Sequence, residues 1–317
     1  MRQRAPRVPF LSQRMIDQQT APAVAPVAKG ERGRCRPSRR RYLAFPVFTL
    51  LASAVLLSGG VRRPCLPAEG ASLRGPLPSS PSRETLRIGL FNVNSGRGAD
   101  DVLDLARTAE ALRGLDVIAL NEVRGVSLGR DVDQAEALGR QLKLPWLFAP
   151  IERRWWRDDF GNALLAAPPV KRWRRVPLPY SNVKGHGNYL EAELAFAAGT
   201  LHLLLTHVDR RRDRHAQLAA VLERFRELPA PAVLLGDLNS TAEEPLLKQL
   251  LAEGDVGDPL SLPAAWGDRP RYDWILTRGL QVLNAGANDS QASDHPAFWV
   301  EVAPLPSLPE HEKRPID

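Results

Sequence analysis

Between Leu86 and Val302, short apolar runs alternate with stretches whose apolar residues recur every three or four positions. The runs are LRIGLFNV (86–93), DVIALNEV (116–123), GNALLAA (161–167), NYLEAELAFA (188–197), TLHLLLTHV (200–208), AVLLGDLNS (232–240), YDWILTRG (272–279) and HPAFWVEV (295–302). Their length and their bounding turn residues predict strands. Helical spacing over 99–115, 131–144, 214–228 and 243–254 predicts helices. The first has Asp100 and Asp101 suited to its start, and the third is stopped by Pro229 and Pro231. The run 188–197 alternates, and Ala198-Gly199 separates it from the next strand as a hairpin signal. Alternating strands and helices with a hairpin predict an α/β domain whose sheets are mixed rather than all-parallel. No internal repeat is visible.

The region before Leu86 has a different pattern. Residues 1–41, rich in Pro, Ala, Arg and Gln, show neither period and read as disordered. Residues 42–60 (YLAFPVFTLLASAVLLSGG) carry no charge and have a length that just spans a bilayer. Ser38-Arg39-Arg40-Arg41-Tyr42-Leu43 before them resembles a twin-arginine export signal, and Ser58, Gly59 and Gly60 suit a cleavage point. A cleaved signal is the first reading, an uncleaved anchor the second, since Arg39 to Arg41 favour a cytoplasmic N-terminus. A buried core helix is the third, which Pro46 and the Arg-rich flank oppose. The first two place the body outside the cytoplasm. Residues 61–85 read as a linker, 86–305 as the folded domain and 306–317 as a tail.

Charge changes the picture once it is divided along the chain. The net charge is +7, but residues 1–85 hold 15 Lys and Arg against 4 Asp and Glu, leaving 28 against 32 for the rest. The body is slightly acidic, so its basic pI is no argument for nucleic-acid binding. Cys35 and Cys65 both precede it, which excludes a disulfide framework or a thiolate metal site there.

Candidate chemistry sits where strand after strand ends in a polar residue: Asn92 and Asn94, Glu122, His207, then Asp237 and Asn239, with Asp273 inside a further apolar run. Strand ends gathered at one rim of a sheet are where sites form. Each ending also has a plain structural reading. Gly236-Asp237-Leu238-Asn239 is either a site or an Asx turn capping the helix near Glu243. Glu122 is either a ligand for a hard cation such as Mg²⁺ or a surface partner of Arg124. Asp294-His295 is either a metal and substrate pair or an exposed loop, and a lone His207 suits a structural role. Asp273 is costly to bury unless paired, and His295 is a natural partner whose imidazolium it would favour.

The elements Phe91-Asn92-Val93-Asn94, Asn121-Glu122, Gly161-Asn162-Ala163, Thr206-His207, Arg214 with Gln217, Gly236-Asp237-Leu238-Asn239, Tyr272-Asp273 and Ser293-Asp294-His295 appear in that order. Together they resemble the endonuclease/exonuclease/phosphatase superfamily over about residues 86–302. The resemblance implies a four-layer α/β sandwich, two mixed β-sheets face to face and flanked by helices, with the active site at one rim. It implies hydrolysis of phosphate esters with Mg²⁺ or Mn²⁺, held by Glu122 with Asn94 and Asp294. It further implies phosphate binding by Asn92, Asn239 and His207, and an attacking water oriented or deprotonated by Asp237. His295, steadied by Asp273, would stabilise the phosphoryl group or protonate the leaving oxygen; Arg214 and Gln217 would brace the rim. The abasic-site nuclease branch has an acidic residue where this chain has Asn94, and many members have an Arg where it reads Asn188-Tyr189-Leu190.

Three basic clusters bear on the substrate: 153–157 (RRWWR), 171–175 (KRWRR), and Arg210-Arg211-Arg212 with Arg214. Trp interleaved with Arg suits stacked bases, or anionic lipid headgroups, or a solvated surface with Trp partly in the core. The expected partner is therefore a phosphate ester, nucleic acid or a phospholipid or inositol-phosphate headgroup, met by a monomer with membrane association through 42–60. A non-catalytic phosphate-binding protein on the same scaffold is the alternative.

Overall fold

Alternation along the apolar strands sends neighbouring side chains to opposite faces, and both faces are covered. The computed structural model describes residues 47–54, 62–77, 83–127, 129–154, 159–180, 186–197, 199–261 and 270–306. Met1–Leu50 and Leu51–Asp317 are separate units. Of the first only 47–50 are described; residues 47–54 are helical (α1) and largely exposed. No helix among the described residues is long and apolar enough to cross a membrane. The segment expected to be disordered (1–41), most of the export segment (42–60) and nearly all of the tail lie outside the described residues.

The second unit holds two seven-stranded sheets. The first runs β1 (Arg62–Pro64), β5 (Trp146–Arg154), β6 (Phe160–Ala166), β4 (Val117–Arg124), β3 (Leu86–Asn92), β14 (Ala297–Pro304), β13 (Leu280–Asn288). The second runs β11 (Val256–Gly257), β12 (Asp273–Arg278), β10 (Ala232–Asp237), β9 (Gly199–His207), β8 (Asn188–Phe196), β7 (Val170–Pro177), β2 (Ala68–Gly70). One neighbour pair in each sheet is parallel, β3 with β4 and β9 with β10, so both are mixed.

Three apolar layers hold the sandwich. Leu86, Ile88, Leu90, Val117 and Ala119 of the first sheet meet Leu203, Leu205, Val233, Leu235 and Ile275 of the second. The opposite face of the first sheet, Phe91, Ile118 and Leu120, packs with helices α2 (Leu105–Ala111) and α3 (Gln134–Leu142) through Ala109 and Leu138. The outer face of the second, Leu204, Leu234 and Trp274, packs with α4 (Arg214–Glu227) and α5 (Pro245–Ala252) through Phe225 and Leu250. A buried Leu or Phe contributes about 1.5–3 kcal/mol, so each layer outweighs any surface ion pair.

Four features differ from the sequence reading. The linker 61–85 contains β1 and β2, which pair with β5 and β7. Helix α2 begins at Leu105 rather than near residue 100, because Asp104 caps it, accepting from the Ala106 and Arg107 amides; Asp100 instead binds the Arg107 guanidinium at 2.9 Å. Strands β5, β7 and β13 were not anticipated. Pro150 interrupts the apolar pattern of β5, half of β7 is charged, and β13 is a half-exposed edge strand whose second half is Asn, Ala and Gly. The cluster 171–175 lies on β7 and is spent internally. Arg172 pairs with Glu69 and Arg174 with Glu191, Trp173 Nε1 donates to the Ser72 carbonyl, and Arg175 donates to that of Leu66. Trp155, Trp156 and Arg157 lie outside the described residues.

Candidate active site

Register brings the polar strand ends together. The parallel pair β3–β4 sets Asn92 beside Asn121, and β9–β10 sets His207 beside Asp237. The antiparallel pair β10–β12 sets Asp273 on the other side of Asp237. All lie at one rim of the sandwich, where a cleft of about 840 Å³ is lined by Asn94, Glu122, His207, Asp237, Asn239, Asp294 and His295. A smaller cavity of about 260 Å³ near Arg174, Glu191 and His202 contains none of these residues.

Backbone conformation aims several of them. Glu122 sits where the β4–β6 register shifts, with φ 61°, and Asn94 and Asn239 have φ 44° and 46°. A bulge re-aims a side chain, and the left-handed region costs a Glu roughly 1–2 kcal/mol. The Glu122 carboxylate takes a hydrogen bond from Asn92 Nδ2 at 3.3 Å, and the same nitrogen donates to Asp237 Oδ2 at 3.1 Å. Arg124 is not its partner: Nε of Arg124 donates to Ser95 and the guanidinium lies over Phe160.

Asp237 is 3% exposed. Its Oδ1 accepts from the Asn239 amide at 2.9 Å, an Asx geometry, but helix α5 starts later, behind Glu244, with no side-chain cap. Its Oδ2 lies 3.5 Å from His207 Nε2. Asn239 Nδ2 donates to the Val208 carbonyl at 2.8 Å and lies 3.3 Å from His207 Nε2. Gly236 is required before Asp237, because a Cβ there would collide with the Thr206 carbonyl.

Asp273 and His295 form a pair, Oδ2 to Nδ1 at 2.6 Å. Burial pushes the Asp273 carboxyl up, against the hydrogen bond from His295, while Asp237 adds to the rise. For His295, burial disfavours the imidazolium, but the hydrogen bond and charge of Asp273, with Asp237 and Asp294, outweigh it and raise the pKa to about 9. The surrounding carboxylates thus favour the charged form of the His295 ring. Asp294 is exposed at the cleft and accepts from Ser293 Oγ, which also donates to the Asn92 carbonyl. Arg214 bonds the Asn239 carbonyl and Glu244; Gln217 bonds the Asp209 amide and the Pro179 carbonyl.

Beneath the rim lies a buried amide chain whose bonding the motifs did not reveal. Asn121 Nδ2 donates to Asn162 Oδ1 (2.8 Å) and the Thr206 carbonyl (2.9 Å), while its Oδ1 accepts the Asp237 amide (2.9 Å). Asn162 donates on to Asn188, and Asn188 to the Pro150 carbonyl. The chain crosses from one sheet to the other and fixes the backbone at Asp237. Its one sequence signal is an Asn inside otherwise apolar strands.

The donor set suits a hard divalent cation. Glu122, Asp237 and Asp294 line one cleft with the amide of Asn94 and without a thiolate. One oxygen each of Asp237 and Asp273 lies within 4.8 Å of a His295 ring nitrogen, and Asp273 Oδ1 is buried with no hydrogen-bond partner. Of the two His295 nitrogens, Nδ1 is already committed to Asp273.

Residues 89–295 match the endonuclease/exonuclease/phosphatase family. Among solved structures, an endonuclease/exonuclease/phosphatase from Beutenbergia cavernae is 22% identical with TM-score 0.59, over 70% of this chain and 72% of that one. The human nocturnin catalytic domain with bound sulfate is 16% identical with TM-score 0.53, over 76% and 98%. D. rerio TDP2 complexed with single-strand DNA product is 17% identical with TM-score 0.52, over 69% and 99%. No curated protein matches the chain significantly.

Proposed function

Because the chain belongs to the endonuclease/exonuclease/phosphatase family, we propose that it hydrolyses phosphate esters, phosphodiesters above all, with a divalent cation of the Mg²⁺ or Mn²⁺ class. The observation that carries this reading is the hydrogen-bonded Asp273–His295 pair, set close to Asp237 in a cleft that is also lined by Glu122.

A phosphodiester resists attack because it is anionic. Glu122 with Asn94 would hold the cation, which when bound neutralises charge on the phosphoryl oxygens. Asp237 orients a water through Oδ2 and accepts its proton, while Oδ1 stays tied to the Asn239 amide. Asn239, oriented by Val208, and His207 face the phosphoryl oxygens, and Asn92 bridges the Glu122 and Asp237 carboxylates through Nδ2. His295 presents its free Nε2 edge, and Asp273 keeps the ring charged, so it offsets developing charge or protonates the leaving oxygen. Asp294 adds negative charge at the mouth of the cleft and would support the cation.

The test is Mg²⁺-dependent hydrolysis of bis(p-nitrophenyl) phosphate, plasmid, single-stranded DNA, RNA, phospholipids and inositol phosphates. Asp237→Ala and His295→Ala are expected to abolish it. Hydrolysis unaffected by both substitutions would remove the assigned centre. Ligand binding without turnover on any substrate would favour the phosphate-binding alternative. Export remains part of the proposal, supported by Arg39-Arg40 ahead of the uncharged stretch.

A further inference from the structure

The loop between β9 and α4 carries Arg210, Arg211 and Arg212 from the end of His207's strand to the start of α4, and all three line the same cleft as Asp237 and His295. The loop is held at both ends. The Val208 amide donates to the Asp237 carbonyl, the Asp209 amide to Gln217 Oε1, and the Asp213 amide to Asp209 Oδ2. The guanidinium groups between these anchors are exposed, and among the described residues none has a carboxylate partner.

That sets them apart from other arginines of the body. Arg107 pairs with Asp100, Arg174 and Arg224 share Glu191, Arg226 pairs with Glu253, Arg271 with Asp258 and Arg278 with Asp255. Even Arg214, next along, is spent on Glu244. Three adjacent cations repel one another, and a guanidinium fork matches phosphate oxygens in pairs. Of the cleft's carboxylates, Glu122, Glu152 and Asp237 stand on strands, Asp209 begins the arginine loop with its carboxylate bound to the Asp213 amide, and Asp294 is exposed before β14.

We infer that Arg210, Arg211 and Arg212 form a second phosphate site, and that the substrate is a phosphate ester carrying at least one further phosphate beside the scissile one. The inference rests on the phosphoesterase reading. Its chemistry is met by a nucleic-acid strand and by a soluble polyphosphorylated ester. A run of solvated charge with no ligand is the competing reading.

The test uses the full chain and its R210Q/R211Q/R212Q variant. Hydrolysis is measured on bis(p-nitrophenyl) phosphate, a short single-stranded oligonucleotide and an inositol polyphosphate. Binding of the last two is measured by fluorescence anisotropy in EDTA. The expected result is a multi-phosphate preference, identified by whichever substrate shows it, that falls about tenfold or more in the variant as a ratio of kcat/KM. The salt slope should flatten by about 0.7 per lost contact. A ratio within twofold of the wild type, or a wild type indifferent to the second phosphate, overturns the inference and leaves the phosphoesterase reading standing. Salt-dependent binding lost in the variant, with no hydrolysis by the wild type, retains the site and sinks the enzyme reading.

Discussion

Replacing Asp273 by Asn keeps the shape of the buried pair and removes its negative charge. In the native site His295 is held at a pKa of about 9 against an ordinary 6.5, a difference of roughly 3 kcal/mol in favour of the imidazolium. Without the carboxylate the two largest influences that raise the pKa are gone, and burial is opposed only by the weaker charges of Asp237 and Asp294, so the imidazolium loses most of its support at pH 7.5. An amide that can donate to Nδ1 also favours the wrong tautomer. Together these predict a loss of about 10²–10⁴ in kcat for diester hydrolysis at pH 7.5. The assay is the Mg²⁺-dependent pH–rate profile from pH 6 to 10, paired with NMR titration of His295, identified by its absence in His295→Gln. A larger loss on an alkyl than on a nitrophenyl leaving group marks proton donation; equal losses mark charge stabilisation. Stability carries the same sign. A pKa raised on folding contributes fully below 6.5 and is lost as pH rises through about 9. The stability gap between wild type and His295→Gln should therefore shrink across that window. Asp273, also raised by burial, makes its own contribution decline as pH rises above the ordinary carboxylate value. Retention of more than half the activity in Asp273→Asn, or a His295 still titrating near 9, would refute the reasoning.

Glu122→Asn should weaken Mg²⁺ dependence about 10–100-fold while stabilising the fold by up to ~1 kcal/mol, since Asn tolerates the left-handed backbone and repulsion by Asp237 is relieved; metal titration and urea unfolding read the two effects, and a destabilised variant contradicts the strain argument. Asn121→Leu strands the Asp237 amide, the Thr206 carbonyl and Asn162 Oδ1 in the interior, with an expected loss of about 3–5 kcal/mol; a urea-unfolding loss under ~1 kcal/mol would show that the amide chain is redundant. A tagged full-length chain should appear in the exported or membrane fraction, and a cytoplasmic, unprocessed product rejects the export reading.

The strands that pack on both faces were legible because burial on both sides leaves continuous apolar runs, as in VIAL before Asn121 and VLL before Gly236. Those that failed to announce themselves are shaped by other pressures: β7 by its pairing with β2 and Glu191, β13 by its place at an edge, β5 by Pro150. At the site, residue types and order pointed to Asp237, Asp273 and His295, but nothing in the letters showed that Glu122 stands on a bulge with positive φ. The amide chain was opaque for a related reason. Asn121, Asn162 and Asn188 are 41 and 26 residues apart, and only the register of two sheets makes them neighbours.

Strands β1 and β2 occupy the outermost position of different sheets, yet only Cys65, Leu66 and Pro67 separate them. Nine consecutive residues therefore close one side of both sheets, with Cys65 buried at the crossover and its amide bonded to the Ile151 carbonyl. A chain begun at Leu86, where the apolar pattern starts, would uncover β5 and β7 at once. Each would offer a row of unpaired amides and carbonyls as a template for another chain. The short segment that reads as a spacer is thus a guard against strand-to-strand association.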